Sequence, residues 1–391
     1  MSRRPIGAMA AAAALLAGSV QSARGYVINY QIADTNDPRN SGVSACPQPT
    51  RVNLNRPGGT DRRWDATLGP NIVATPGFPG GRQAEVLGTI LDAYNAWAGV
   101  PGSGLSSTSY APLAATSGGN SCDSMDGLNT ICFAQGDAFA PGVLAFTRTN
   151  TASAIGQTAG VKAASSIGEI LDADVELNPD VLFATPGALA GNPSAYDLES
   201  VLTHELGHTL GLAESPIAGA AMFPFAPSPG TFRGGRASPA SPDAPLADDD
   251  RAGLRVLYPG ASAYGMIRGR ILPVNPLSLS NLPPTAPGMA VTGYYGAHVV
   301  AVDAATGSVI AGAVSGWTCD PAAQKTSFDG SYTIGGLPLG SSYIVYAEPL
   351  TGPVGPGMLT GPLGAQPCRP QSANACTPPA ANTLFSARAK P

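Results

Sequence analysis

Two of the three histidines in this 391-residue chain stand four residues apart, in Thr203-His204-Glu205-Leu206-Gly207-His208-Thr209-Leu210-Gly211-Leu212-Ala213-Glu214. No other stretch constrains the fold as much. Residues four apart on a helix sit one turn above each other on one face, so both imidazoles reach a single ion at ~2.0–2.1 Å. Leu198, Leu202, Leu206 and Leu210 recur every fourth residue, which calls for a helix with one buried edge. Ser194 and Asp197 have the spacing of a capping box and predict its start. Gly211 is the natural stop, because glycine takes the left-handed conformation at a helix end without strain. A reversal there brings a residue three positions later back towards the ion, which makes Glu214 the candidate third ligand. A set of two His and one Glu is an accepted catalytic zinc arrangement. Glu205 lies beside the histidines and is the candidate general base. It would take a proton from a metal-bound water and pass it to the leaving amine.

Composition narrows the function classes. Charged residues make up 12% of the chain and the net charge is -5, so no basic stripe exists to neutralise phosphates, and a nucleic-acid partner is excluded. Hydrophobic residues at 43% suffice for a core, while 49 Gly and 38 Pro predict long loops between folded parts. Arg3 and Arg4, the apolar run 6–20 and the small residues Ser22, Ala23 and Gly25 read as a cleaved signal peptide over 1–25. That run is short for a spanning helix of ~20 residues, and no membrane span is expected after cleavage. A secreted, periplasmic or cell-surface location follows, and the six cysteines then suggest disulfides. Cys122 with Cys132, and Cys368 with Cys376, enclose short loops and are the expected local bridges. Cys46 and Cys319 remain, and their pairing is left open.

Along the chain, 26–32 alternates like an early strand. An amphipathic helix is predicted over 82–98, with Leu87, Ile90, Leu91, Tyr94 and Trp97 on one face. Segments 143–148 and 170–177 read as strands. A last helix is predicted over 247–257, where three aspartates suit a helix N-terminus. Beyond Gly260, short β-rich runs at 265–272, 297–303, 308–314, 331–334 and 343–347 predict a small all-β sandwich. His298 alternates with Val300 and Val302 and reads as a strand-face residue.

These residues resemble the metzincin clan, and its matrixin-like secreted bacterial members most closely. The family pattern is His-Glu-x-x-His-x-x-Gly-x-x-His followed by a methionine turn. His204, Glu205, His208 and Gly211 match it, and Glu214 stands where the family usually has His. The carboxylate lowers the charge at the metal, so the water's pKa and the pH optimum are expected to move upward. Ala221-Met222-Phe223 looks like the methionine turn, in which Met222 would form a floor under the metal. The resemblance implies Zn2+ and an α+β fold: a metzincin-like catalytic domain over 26–260, built of a twisted mixed sheet, an active-site helix and a C-terminal helix. Residues 172–178 look like the upper edge strand that pairs with an extended peptide substrate, and 226–245 like the wall of the pocket beyond the scissile bond. Structural Ca2+ is also implied, with Asp123, Asp126, Asp172 and Asp174 as oxygen donors. No twelve-residue calcium loop is present, and read by themselves these are solvated acids. Residues 261–350 are similar to carboxypeptidase regulatory-like domains, β-sandwiches without catalysis of their own, and 351–391 is a Pro/Gly-rich tail.

The expected function is a secreted zinc metalloendopeptidase, a hydrolase acting on protein or peptide. The alternative is an inactive metzincin-fold surface or adhesion protein. The Glu at 214 and the lack of a tyrosine beside Met222 support the alternative. An intact Glu205 argues against it, because a structural metal site needs no base.

Overall fold

The computed structural model describes residues 21–22, 28–56, 63–65, 71–105, 114–116, 122, 125–134, 139, 142–232, 245–274, 292–294, 296–320, 322–323, 325–327 and 329–348. Residues 1–20, the tail from 351, Asp123 and the Cys368/Cys376 pair lie outside the described residues. The N-terminal part carries strands β1 (Arg51–Val52), β2 (Arg63–Asp65), β3 (Ala114–Thr116), β4 (Thr130–Phe133), β5 (Ala145–Thr151) and β6 (Glu169–Leu177), with helix α1 (Gly81–Ala98) between β2 and β3. Strand β6 is the spine of a mixed sheet. Its first residues run parallel to β1 and its last parallel to β4, with β2 and β3 continuing beyond. Its other side pairs antiparallel with β5.

The expected edge strand is therefore misplaced. Segment 172–178 belongs to an interior strand whose nine residues are all buried, and the edge is β5. The family resemblance put this segment at the sheet edge, yet the fold covers it on both sides. Gly127 N–H donates to Asp172 at 2.7 Å, Thr130 N–H donates to Asp174 at 2.7 Å, and Arg148 pairs with Glu176. The stripe read on α1 holds at Ile90, Tyr94 and Trp97 and fails at Leu91. Val86, Ile90, Tyr94 and Trp97 are buried, while Leu91 is 42% exposed. Spacings of four, four and three keep the first set on one line, and Leu87 and Leu91 fall on its margin. Of the strand read over 26–32, the described part pairs only at Tyr30–Gln31, and Ile28 bridges to Leu212.

Helices α2 (Leu198–Thr209) and α3 (Asp248–Leu257) follow, and then strands β7 (Gly265–Arg270), β8 (His298–Asp303), β9 (Val309–Val314), β10 (Ser331–Leu337) and β11 (Tyr343–Glu348). These strands form two antiparallel sheets, β7–β10 and β9–β8–β11. Helix α3 packs against both, through β9 and β10. One hydrophobic cluster runs from Trp64, Trp97 and Leu206 to Val299, Ala311 and Ile334, so the β-rich region shares a core with the mixed sheet and helices. Cys46 is bonded to Cys319 across the two regions, and Trp317 meets the Tyr30 ring edge-on at 5.4 Å. The Cys122–Cys132 bridge closes its short loop as expected.

Candidate metal centre

Helix α2 begins three residues later than the capping box predicted for it. Asp197 is the N-cap and accepts from Ser200 N–H at 3.2 Å, while Ser194 takes no part. Tyr196 and Asp197 are extended and paired with Phe183–Ala184, so Ser194 lies too far upstream to cap. The four leucines at 198, 202, 206 and 210 are fully buried. At the other end Gly211 has φ +97°, and a Cβ there would lie 2.1 Å from the Thr50 carbonyl oxygen. Only glycine fits that turn. Neighbouring segments pin it: Asn29 N–H donates to Gly211 O at 3.0 Å, and Tyr258 O–H donates to Leu210 O at 2.7 Å.

The turn returns the chain to the helix face. The Nε2 atoms of His204 and His208 are 3.1 Å apart, and each is 3.6 Å from an oxygen of Glu214. Donors around a tetrahedral zinc are ~3.3 Å apart, as bonds of ~2.0–2.1 Å require. The spacing therefore fits one ion. The outer ring nitrogens are occupied: His204 Nδ1 lies 2.8 Å from Ala221 O, and His208 Nδ1 lies 2.9 Å from Leu212 O. A carbonyl accepts only from N–H, so each Nδ1 carries the proton and each Nε2 presents its lone pair inward. Glu214 Oε2 is buried without a hydrogen-bond partner. Burial opposes charge on His204, but the Glu214 carboxylate 3.6 Å away and the field of Glu205 outweigh it and raise its pKa to about 9. Burial likewise opposes ionisation of Glu214, and the two histidines outweigh it, lowering its pKa to about 2. The pocket thus stabilises positive charge held between three side chains.

Met222 is 2% exposed and packs beneath α2, where a Cβ on Gly207 would lie 2.2 Å from its Sδ. The turn carrying it is fixed by Asp250, which accepts from Ala221 N–H at 2.7 Å, Met222 N–H at 3.1 Å and Ala247 N–H at 2.8 Å. The sequence reading gave the aspartates of α3 to the helix dipole. All three stand in its first turn, and Asp249 and Asp250 are in addition buried clamps, with pKa values raised by burial to about 7 and about 6.

Glu205 reaches from α2 towards β5, and the Thr147 hydroxyl donates to its Oε2 at 2.7 Å. Sequence reasoning missed Thr147. The available signal was its place, with Ala145 and Thr149, at every second position of an edge strand. A cleft of about 690 Å³ opens over this face, lined by the two histidines, Glu205, Glu214 and apolar groups including Tyr196, Val201, Phe223 and Phe225. Ala226, Pro227 and Pro245 also line it, while 233–244 of the expected pocket wall lie outside the described residues.

Asp172 and Asp174 overturn the solvated reading given to them. Both are fully buried, and Asp172 Oδ1 and Asp174 Oδ2 have no hydrogen-bond partner. His298 stands apart from the metal cluster, on β8, with Nδ1 3.1 Å from Glu348 Oε1.

The mixed α+β fold and the His–His–Glu cluster define a helix-borne metal centre of hydrolytic type. Residues 143–259 match the matrixin family of metallopeptidases, a span that holds β5, β6, α2 and α3. The chain is also similar to Metalloendoproteinase 1 of Glycine max, with 36% identity over 89 residues, 22% of this chain and 26% of that protein. It thus spans about a quarter of the length of that curated relative.

Proposed function

We propose that the protein is an exported zinc-dependent endopeptidase. The observation that carries this reading is the pair of Nδ1-anchored imidazoles and the Glu214 carboxylate converging at 3.1–3.6 Å, with Glu205 adjoining them in an open cleft. His204, His208 and Glu214 would hold the Zn2+, and Met222 would floor it. When bound, zinc supplies Lewis acidity that polarises the scissile carbonyl and acidifies water. Glu205 takes the proton of the attacking water and delivers it to the leaving amine. Among the described residues strand β5 pairs on one side only; its other side would take an extended peptide through backbone hydrogen bonds, and the apolar floor of the cleft would take a side chain.

A signal peptide over 1–25, a catalytic region over 26–260, a supporting carboxypeptidase-regulatory-like β-sandwich over 261–350 and a tail over 351–391 complete this reading. Disulfides suit export to the periplasm, the cell surface or the medium. Among the described residues no helix is long and apolar enough to cross a membrane. The orphaned oxygens of Asp172 and Asp174 suit a structural Ca2+, since a hard cation takes oxygen donors that nothing else satisfies.

The decisive assay compares wild-type protein with Glu205→Ala on casein, with zinc content measured for both. Equal zinc and loss of cleavage in the variant is the expected result. Zinc in both and cleavage by neither would favour a metzincin-fold surface protein without activity.

A further inference from the structure

Glu205 is held by a residue from across the cleft. Thr147 stands on β5, opposite Val175 of β6, and its hydroxyl donates to Glu205 Oε2 at 2.7 Å, with the Glu205 carbonyl oxygen at 3.1 Å. A carboxylate on a two-carbon stem has several rotamers. A bond from a rigid strand to one oxygen selects among them and leaves Oε1 to exchange protons.

We propose that Thr147 is a positioning residue for Glu205, and that through it the edge strand ties the base to the surface on which substrate lies. This rests on the endopeptidase reading and adds a residue to it. A peptide paired with β5 would stiffen the strand that carries Thr147. The hydroxyl would then matter more in the reacting complex than in the free protein. Removing it should act on turnover, not on the affinity for peptide.

Thr147→Val keeps the shape and β-branching of the side chain and removes only the donor. Thr147→Ser keeps the donor and removes the methyl. With a fluorogenic peptide, Val should lower kcat by up to ~100-fold, the scale of a misplaced catalytic group, leave KM and zinc content near wild type, and be rescued by Ser. A second readout needs no turnover. A peptide hydroxamate hydrogen-bonds a carboxylate beside the metal only where that carboxylate is held in place, so calorimetry should show weaker hydroxamate binding to the Val variant and wild-type binding to the Ser variant. Wild-type kcat and hydroxamate affinity in the Val variant would overturn the role of Thr147, while a dead Glu205→Ala variant would keep the peptidase reading intact. A wild-type protein that binds zinc and hydroxamate but cleaves nothing would sink the peptidase reading, and hydroxamate affinity would still judge Thr147. Equal loss in Val and Ser would also overturn the proposal, since it would point to packing.

Discussion

At Gly207 a Cβ would lie 2.2 Å from Met222 Sδ and 2.8 Å from Trp97 Cζ2. Met222 and Trp97 are both buried, so neither has free space to enter. Gly207→Ala is therefore expected to cost ~1–3 kcal/mol, as overpacking does. It should also weaken zinc, because the turn bearing His204 and His208 must shift. Urea unfolding and a competitive zinc titration would test this, and an unchanged result in both would mean that Met222 gives way freely. The residues visible in the sequence are those whose geometry is local. His204, Glu205, His208 and Glu214 lie within eleven positions, and one helix plus one glycine turn places them. Thr147 and Asp250 act over 58 and 29 positions, and no spacing rule connects such pairs.

Among the elements, β6 departs furthest from its sequence reading. Its acids lie inside the sheet, and burial, joined by the charge of Asp126, raises Asp172 to about 6. Burial and the neighbouring Asp172 raise Asp174 to about 8. A carboxyl whose folded pKa lies above its ordinary value stabilises the fold while it is protonated. With divalent ions removed, the contribution of this pair should be full below the ordinary value of 3.8 and be lost as pH rises through about 6 and then about 8. Unfolding in EDTA at pH 5, 7 and 9 would show the decline, and an Asp172→Asn/Asp174→Asn variant should lack it. Added Ca2+ should restore stability at pH 9 in the wild type alone. Equal pH dependence in the two proteins would refute the argument. The run 170–177 was legible as a strand, but which neighbours cover its two edges is a property of sheet order, invisible along one segment.

On the scale of the whole molecule, the β-rich region and the metal centre are mechanically joined. Gly312 N–H on β9 donates to Asp249 Oδ1 at 2.8 Å, and Ser215 O–H, next to Glu214, donates to Asp249 Oδ2 at 2.6 Å. The Cys46–Cys319 bond spans 273 positions between the same two regions. Replacing both cysteines by serine is expected to cost ~2–5 kcal/mol, while heat unfolding stays a single cooperative transition because the core is shared. Calorimetry that resolved two transitions in the wild type would show that the regions are separate folding units.

Residue order alone was enough for the helix, its glycine stop, the ligand triad and the described strands of six residues or more, because each follows from periodicity or spacing over a few turns of chain. Folding in three dimensions settled which strand forms the rim of the cleft, which acids lie buried, and which distant hydroxyl holds Glu205. Those outcomes depend on which surfaces exclude water from one another, and segments far apart in the chain meet only when the core closes.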